Sequence, residues 1–125
     1  MHIEFDVRGE LCILRLKGRF LTGADTAYLR SKNEELKATG CRKVVADFRE
    51  VPYVDSTGLG FIVGLYTSLR NLGGHFVMAN ANSRVSEVLD VTRLKRVIPL
   101  FSDEASAIAA LNNPAEPALR VEQGV

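Results

Sequence analysis

Residues 44–70 read VVADFREVPYVDSTGLGFIVGLYTSLR, and this stretch decides the fold. Its first five residues are an apolar run with a single aspartate, which is typical of a strand buried on both faces of a parallel sheet. Residues 57–72 then place apolar side chains at helical spacing, and the pair Gly73-Gly74 ends the predicted helix. A buried strand that leads into a helix indicates the α/β class.

The flanking sequence extends this pattern. Apolar and polar residues alternate on both sides of Gly9-Glu10, which predicts an antiparallel hairpin at the start of the chain. Pro99 indicates that the last strand lies at a sheet edge, and Ser102 is the expected N-cap of the last helix. Besides the strand and helix above, the predicted elements are strands over residues 3–7, 11–17, 76–79 and 97–101 and helices over residues 24–38, 84–94 and 102–111.

These elements predict one α/β domain over residues 1–112. It is expected to be a sandwich with a mainly parallel sheet, an N-terminal antiparallel strand and four to five helices. Residues 113–125 contain two prolines and show little apolar periodicity, so we predict a flexible C-terminal tail.

The composition excludes several functional classes. The 125 residues carry a formal net charge of +1, which gives no reason to expect nucleic-acid or membrane binding. No signal peptide is visible, and Cys12 and Cys41 lack metal-site spacing, so we expect free thiols in a reducing cytoplasm. His2 and His75 belong to no Cys/His cluster. We therefore predict neither a metal ion nor a cofactor.

The segment Asp55-Ser56-Thr57-Gly58 lies where the buried strand and its loop enter the helix. In one interpretation Ser56 is simply the N-cap of the helix. In the other its hydroxyl accepts a phosphate, because a helix N-terminus accommodates the added charge. That phosphate would lie beside the Asp55 carboxylate and would repel a partner docked on the same end of the helix.

The helix itself predicts a core face and a docking face. Leu59, Ile62, Val63, Tyr66 and Leu69 form the predicted core stripe. The opposite face is predicted to carry Thr57, Phe61, Leu65 and Ser68, with Gly60 and Gly64 beside them. Two large apolar groups next to two glycines are typical of a flat docking patch, although a neighbouring loop could equally cover them.

Catalytic patterns are missing from the segment. Val54 occupies the position where a nucleophile elbow needs glycine, and no histidine lies nearby in sequence to act as a base for Ser56. The Gly58-x-Gly60 pair lacks the third glycine of a dinucleotide site. We therefore predict that the protein is not an enzyme.

Residues 45–60, VADFREVPYVDSTGLG, resemble the core motif of STAS domains of the anti-sigma-factor antagonist type. In that family an Asp-Ser-(Ser/Thr)-Gly-Leu-Gly string follows a strand and opens a helix, and here the string occupies residues 55–60. The resemblance covers roughly residues 3–111 and includes the Gly73-Gly74 turn and residues 85–94, VSEVLDVTRL.

The resemblance implies a bacterial partner-switching protein. When unphosphorylated, such an antagonist binds an anti-sigma factor that is also a serine kinase; phosphorylation ends the complex, and a phosphatase restores it. By position, Ser56 is the implied acceptor, Thr57 is the less favoured hydroxyl, and Asp55, Gly58 and Gly60 are motif neighbours. We expect a cytoplasmic monomer or weak dimer with no direct contact to nucleic acid or membrane.

The sequence departs from the family in the loop Arg19–Asp25. Many relatives carry an acidic residue after the glycine that ends the second strand and an early aspartate in the next loop, whereas here Asp25 is displaced. Because this loop commonly touches the kinase in that family, the identity of the partner stays open.

Three functional classes remain for comparison. They are a binding module controlled by phosphorylation, a STAS subunit of a transport or signalling complex that is not phosphorylated, and a small enzyme with Ser56 as nucleophile. The intact Asp-Ser-Thr-Gly string favours the first class, and the lack of a base or metal site disfavours the third.

Overall fold

Five strands and four α-helices make up most of the part of the chain that the computed structural model describes, residues 2–19 and 26–113. The strands are β1 (His2–Arg8), β2 (Leu11–Lys17), β3 (Lys43–Glu50), β4 (His75–Ala79) and β5 (Leu100–Phe101). The helices are α1 (Thr26–Thr39), α2 (Ser56–Asn71), α3 (Ser83–Val91) and α4 (Glu104–Leu111), and a short 3₁₀ turn spans Leu94–Arg96.

The strands form one sheet in the order β1-β2-β3-β4-β5. β1 and β2 pair antiparallel, and the other three neighbouring pairs are parallel. The hairpin turn places Gly9 at a φ of +63°, a left-handed conformation that glycine adopts without a Cβ clash. The predicted α/β fold, with a mainly parallel sheet and an N-terminal antiparallel strand, is confirmed.

Alternate residues of the central strands face two apolar layers. On β3, Val44, Ala46 and Phe48 are buried in the layer that contains the apolar residues of α1, α2 and α3. Val45 points to the other face, where it packs with residues of α4 such as Leu111. Burial on both faces explains why the strand has an apolar run instead of an alternating pattern.

The turn between α2 and β4 brings two backbone segments into close contact. Gly73 has a φ of +78°, and a Cβ added to Gly74 would lie 2.6 Å from the carbonyl oxygen of Arg42. The next amide, that of His75, donates to the same oxygen at 2.7 Å. The two glycines therefore end α2, as predicted, and allow β4 to start directly beside β3.

The last predicted strand is too long. Only Leu100–Phe101 pairs with β4, whereas residues 97–101 were expected to do so. The amide of Val97 closes the 3₁₀ turn with a 3.1 Å bond to the carbonyl oxygen of Leu94, and the amide of Ile98 donates to the same oxygen at 2.8 Å. Pro99 offers β4 only its carbonyl oxygen. The strand does lie at the sheet edge, as Pro99 predicted.

The end of α3 and the start of α4 also differ from the prediction. α3 ends at Val91, before the predicted residue 94, and the Thr92 hydroxyl donates to the Val88 carbonyl at 2.7 Å. The N-cap of α4 is Asp103, not Ser102, because the Asp103 carboxylate accepts the Ser106 amide at 2.7 Å. A carboxylate is among the preferred N-cap acceptors, so its selection over the adjacent serine is consistent with capping chemistry.

Cys12 and Cys41 are free thiols buried in the larger apolar layer. Burial raises the pKa of the Cys12 thiol to about 12, so at neutral pH the group stays protonated and is a poor nucleophile. In the described ranges, no three His, Cys, Asp or Glu residues are placed to hold a metal ion. The predicted tail from Pro114 onward lies outside the described residues, as do residues 20–25 of the loop that departs from the family pattern.

Candidate functional site

The N-terminus of α2 is capped by Asp55. Its backbone is extended, with φ −99° and ψ −170°, and its Oδ1 accepts the amide of Gly58 at 3.0 Å. Its carbonyl oxygen accepts the amide of Leu59 at 2.9 Å. The interpretation of Ser56 as the N-cap is therefore wrong by one residue, because the aspartate before it performs that role.

Ser56 is the first residue of α2, and it is exposed. Since Asp55 supplies the capping oxygen, the serine hydroxyl is not needed to hold the helix end together. The side chain nevertheless stands at the positive end of the helix dipole, where an added anion is tolerated. The structure thus places the candidate acceptor where a modifying enzyme can reach it without disturbing the cap.

The loop before Ser56 is held by two buried side chains and by hydrogen bonds from Asn82. Val51 and Val54 are each 1% exposed and fix the loop to the core. In addition, Asn82 Nδ2 donates to the carbonyl oxygens of Val51 at 3.2 Å and Pro52 at 3.3 Å. The same side chain caps α3, because its Oδ1 accepts the amide of Val85 at 2.8 Å. Sequence analysis missed Asn82, although an asparagine two residues before a predicted helix is a recognisable N-cap signal.

This loop also carries an exposed aromatic side chain. Tyr53 is 43% exposed, and the Arg84 guanidinium lies over its ring, 5.4 Å from the centroid. Such a stacked pair restricts both side chains at modest energetic gain. It adds an apolar and cationic surface to the loop that leads into Ser56.

A groove runs between the N-terminal halves of α1 and α2, with a volume of about 260 Å³. Its lining residues are Thr26, Leu29, Arg30 and Asn33 of α1 and Thr57, Gly60, Phe61 and Gly64 of α2. A Cβ added to Gly60 or Gly64 would meet no atom within 4 Å, so the missing side chains create the space. The groove thereby brings together, on one side of α2, four of the residues predicted for the docking face: Thr57, Gly60, Phe61 and Gly64.

One polar atom in this groove is buried without a hydrogen bond. Asn33 Oδ1 accepts none from any group in the described part of the chain. A buried amide oxygen in this state carries a desolvation cost of about 1–3 kcal/mol.

The predicted phase of α2 is wrong for two residues. Leu65, expected on the exposed face, is 1% exposed and belongs to the core, whereas Val63, expected in the core, is 41% exposed. Ile62 and Leu69 are buried as predicted. Apolar residues occur all round this helix, so spacing alone did not identify the face that meets the sheet.

The family model of the STAS domain matches residues 2–107. The chain belongs to the STAS domain family. It is 25% identical over 111 residues to the anti-sigma F factor antagonist of Paenibacillus polymyxa. The aligned residues cover 89% of this chain and 95% of the relative. It is 32% identical over 89 residues to the anti-sigma-B factor antagonist of Listeria monocytogenes, covering 68% of this chain and 78% of the relative.

Solved structures share this STAS fold. The unphosphorylated form of the anti-sigma factor antagonist SpoIIAA has a TM-score of 0.75 at 19% identity, covering 89% of this chain and 96% of that one. The phosphorylated form of SpoIIAA from Bacillus has a TM-score of 0.67 at 18% identity, with coverages of 86% and 97%. The STAS domain of a SulP transporter from Vibrio cholerae has a TM-score of 0.70 at 20% identity, with coverages of 84% and 83%. At these identities the likeness concerns the fold alone.

Within the described part of this STAS domain, no helix is both long enough and apolar enough to span a membrane.

Proposed function

We propose that this STAS domain protein is an anti-sigma factor antagonist whose binding is switched by phosphorylation of Ser56. The observation that carries the proposal is the exposed Ser56 at the start of α2, next to the capping residue Asp55 and close to the groove between α1 and α2. The names of the curated relatives support the general role. A binding role fits better than catalysis, and we place the protein in the bacterial cytoplasm.

Phosphorylation of Ser56 would change the surface and leave the fold intact. A phosphate brings about two negative charges, and the N-terminal amides of α2 and its dipole offset part of their cost. The Asp55 carboxylate is occupied with the amide of Gly58, so it stays in place beside the new charge. The result is a strongly anionic patch at one end of α2, which would repel a partner that accepts the uncharged serine.

The groove between α1 and α2 is the proposed docking surface for the anti-sigma factor. Phe61 contributes partly buried aromatic surface, and the glycines leave room for a side chain of the partner. Thr57 lines this groove and directly follows Ser56 in the chain, which makes it the second candidate phosphate acceptor.

The implied partners are an anti-sigma factor that also acts as an ATP-dependent serine kinase and a phosphatase that reverses the reaction. The proposal is tested by incubating the full chain with the cognate kinase and ATP and locating phosphate by mass spectrometry. We expect phosphate on Ser56 and none on the Ser56→Ala variant. Phosphate on Thr57 alone would move the site by one residue.

Binding titrations complete the test. Ser56→Ala should bind the anti-sigma factor as tightly as wild type, and Ser56→Asp should bind at least tenfold more weakly. Ser106→Asp is the matched control, because it adds the same charge near the start of α4, on the other face of the sheet. Equal binding by Ser56→Asp and wild type, together with no phosphate on Ser56 or Thr57, would refute the switch.

That outcome would favour a second function, a STAS subunit of a transport or signalling complex that is not phosphorylated. The similar fold of the transporter STAS domain supports this alternative.

A further inference from the structure

The segment that leads from β4 into α3 runs beside the loop that leads from β3 to Ser56. β3 and β4 are parallel neighbours whose pairing ends at Asp47 and Ala79, so both chains leave the sheet at the same edge. Residues 51–55, between β3 and Ser56, are called the acceptor loop below. Three side chains of the β4–α3 segment contact β3 or this loop. The two segments therefore stay together after the strands have ended.

The first contact joins Asn80 to the end of β3. Asn80 Nδ2 donates to Oδ1 of Asp47 at 3.1 Å, and the same oxygen accepts the amide of Arg49 at 2.8 Å. Asp47 is 4% exposed, so little water competes for these bonds. Asn80 has a left-handed φ of 62°, a conformation that asparagine adopts more often than most residues. One buried carboxyl oxygen thus fixes the point at which both segments leave the sheet.

The second contact uses both ends of the Asn82 side-chain amide. Nδ2 donates to the carbonyl oxygens of Val51 and Pro52 in the acceptor loop. Oδ1 accepts the amide of Val85 and caps α3. Asn82 therefore links the start of α3 directly to the backbone of the acceptor loop.

The middle of the acceptor loop depends on this link. Val51 and Val54 are buried, whereas Pro52 and Tyr53 between them are exposed. The third contact, the stacking of Arg84 on Tyr53, joins two exposed side chains and restrains the loop only weakly. The hydrogen bonds from Asn82 are made to the backbone, so they restrain the course of the chain itself.

We propose that Asn82 is a positioning residue for the phosphorylation of Ser56, an inference that rests on the proposed function. Ser56 is the first residue of α2, and helix ends fray. Its hydroxyl keeps its place while Asp55 holds an extended backbone and caps the helix. Because Asp55 is the last residue of the acceptor loop, a loop held by Asn82 also holds the cap.

Phosphoryl transfer requires such an alignment. The Ser56 oxygen forms a bond to the γ-phosphorus of ATP, the bond from that phosphorus to the bridging oxygen of the departing ADP breaks, and the hydroxyl proton is released. The attacking and leaving oxygens have to stand roughly in line, and a small misplacement costs a large factor in rate. The groove between α1 and α2 is lined by other residues, so the kinase should still dock when Asn82 is changed.

Asn82→Asp separates the two roles of this side chain. The aspartate keeps an oxygen that caps α3, but it has no donor for the carbonyl oxygens of the acceptor loop. Asn82→Ser is a second variant, which keeps a capping oxygen, lacks the amide nitrogen and adds no charge. Ser83→Asp is the matched control, because it adds the same charge at the next residue and leaves Asn82 in place.

The phosphorylation rate of Ser56 is measured in a single turnover with the cognate kinase and ATP both saturating. The affinity for the kinase is measured separately, by titration with ADP in place of ATP. We expect both Asn82 variants to lose at least about tenfold in rate and to change less than about threefold in dissociation constant. Ser83→Asp should keep the wild-type rate within about twofold.

A second measurement needs no kinase. NMR-detected amide exchange of residues 53–55 should accelerate in Asn82→Asp, while exchange in residues 85–91 should stay at the wild-type rate because α3 keeps its cap. Unchanged exchange in residues 53–55 would show that Asn82 does not hold the loop and would overturn the proposal.

The kinetic outcomes separate this inference from the proposed function. No phosphate on Ser56 of the wild-type chain would refute the proposed function and this inference with it. A phosphorylated wild type together with wild-type rates for both Asn82 variants would overturn this inference alone. Equal losses of rate and affinity, or the same loss of rate in Ser83→Asp, would show a docking or charge effect and would likewise overturn the positioning role.

Discussion

Leu65 offers a sharp test of the packing of α2. Its side chain is 1% exposed and lies in the core between α2 and the sheet. Leu65→Ala removes three carbon atoms, which at about 0.8 kcal/mol each corresponds to about 2.4 kcal/mol of transfer free energy. The residual cavity adds to this loss, so we expect the free energy of unfolding to fall by about 3 kcal/mol. For a domain of this size, the melting temperature should fall by roughly 10 °C.

Two residues of the same helix are the controls. Val63 is 41% exposed, so Val63→Ala should change the unfolding free energy by no more than about 0.5 kcal/mol. Phe61 is partly buried and lines the groove between α1 and α2. Phe61→Ala should therefore weaken the binding of the anti-sigma factor by tenfold or more, about 1.4 kcal/mol, at a smaller cost in stability than Leu65→Ala.

The assay combines urea unfolding of each variant, thermal melting and a binding titration against the anti-sigma factor. The folded fraction of Leu65→Ala should bind with wild-type affinity. If Leu65→Ala lost affinity but less than about 1 kcal/mol of stability, the residue would lie on the docking face and the assignment of the core face would be refuted.

Three further outcomes follow from the described contacts. Asp55→Ala should lower the unfolding free energy by about 1 kcal/mol, because it removes the N-cap of α2. Ser56→Ala should change the unfolding free energy by less than about 0.5 kcal/mol. Urea unfolding compares the two variants, and a larger loss for Ser56→Ala than for Asp55→Ala would contradict the cap assignment. Gly74→Ala should cost more than about 1 kcal/mol, since its Cβ would meet the Arg42 carbonyl oxygen at 2.6 Å; an unchanged melting temperature would show that the backbone yields there. Cys12, with its pKa raised to about 12 by burial, should react with a thiol reagent at pH 8 only after denaturation; rapid labelling of the native chain would show that the thiol is accessible.

Strand periodicity and turn chemistry predicted much of the fold. The alternation around Gly9 indicated the hairpin, and the apolar run at the start of β3 indicated a strand buried on both faces. Pro99 identified the edge position of β5 correctly but not its length. That length depended on a hydrogen bond between Ile98 and Leu94, which local apolar content does not reveal.

The candidate site was predicted in position but not in detail. The Asp-Ser-Thr-Gly string correctly indicated the start of a helix. Asp55 and Ser56 are both good capping residues, and the pattern did not distinguish them. Asn82, which ties the loop before Ser56 to α3, is far from that loop in sequence and becomes its neighbour only in the folded chain.

The sequence by itself determined the α/β class, the hairpin and the place of the Asp55-Ser56 motif at the start of a helix, because these depend on periodicity and turn residues close together in the chain. The tertiary structure decided which face of α2 is buried. Leu65 and Val63 have similar hydrophobicity, and only the position of the sheet under the helix separates them. It also brought Glu104 to Arg15 of β2, since α4 must lie on the far face of the sheet before these two side chains can pair.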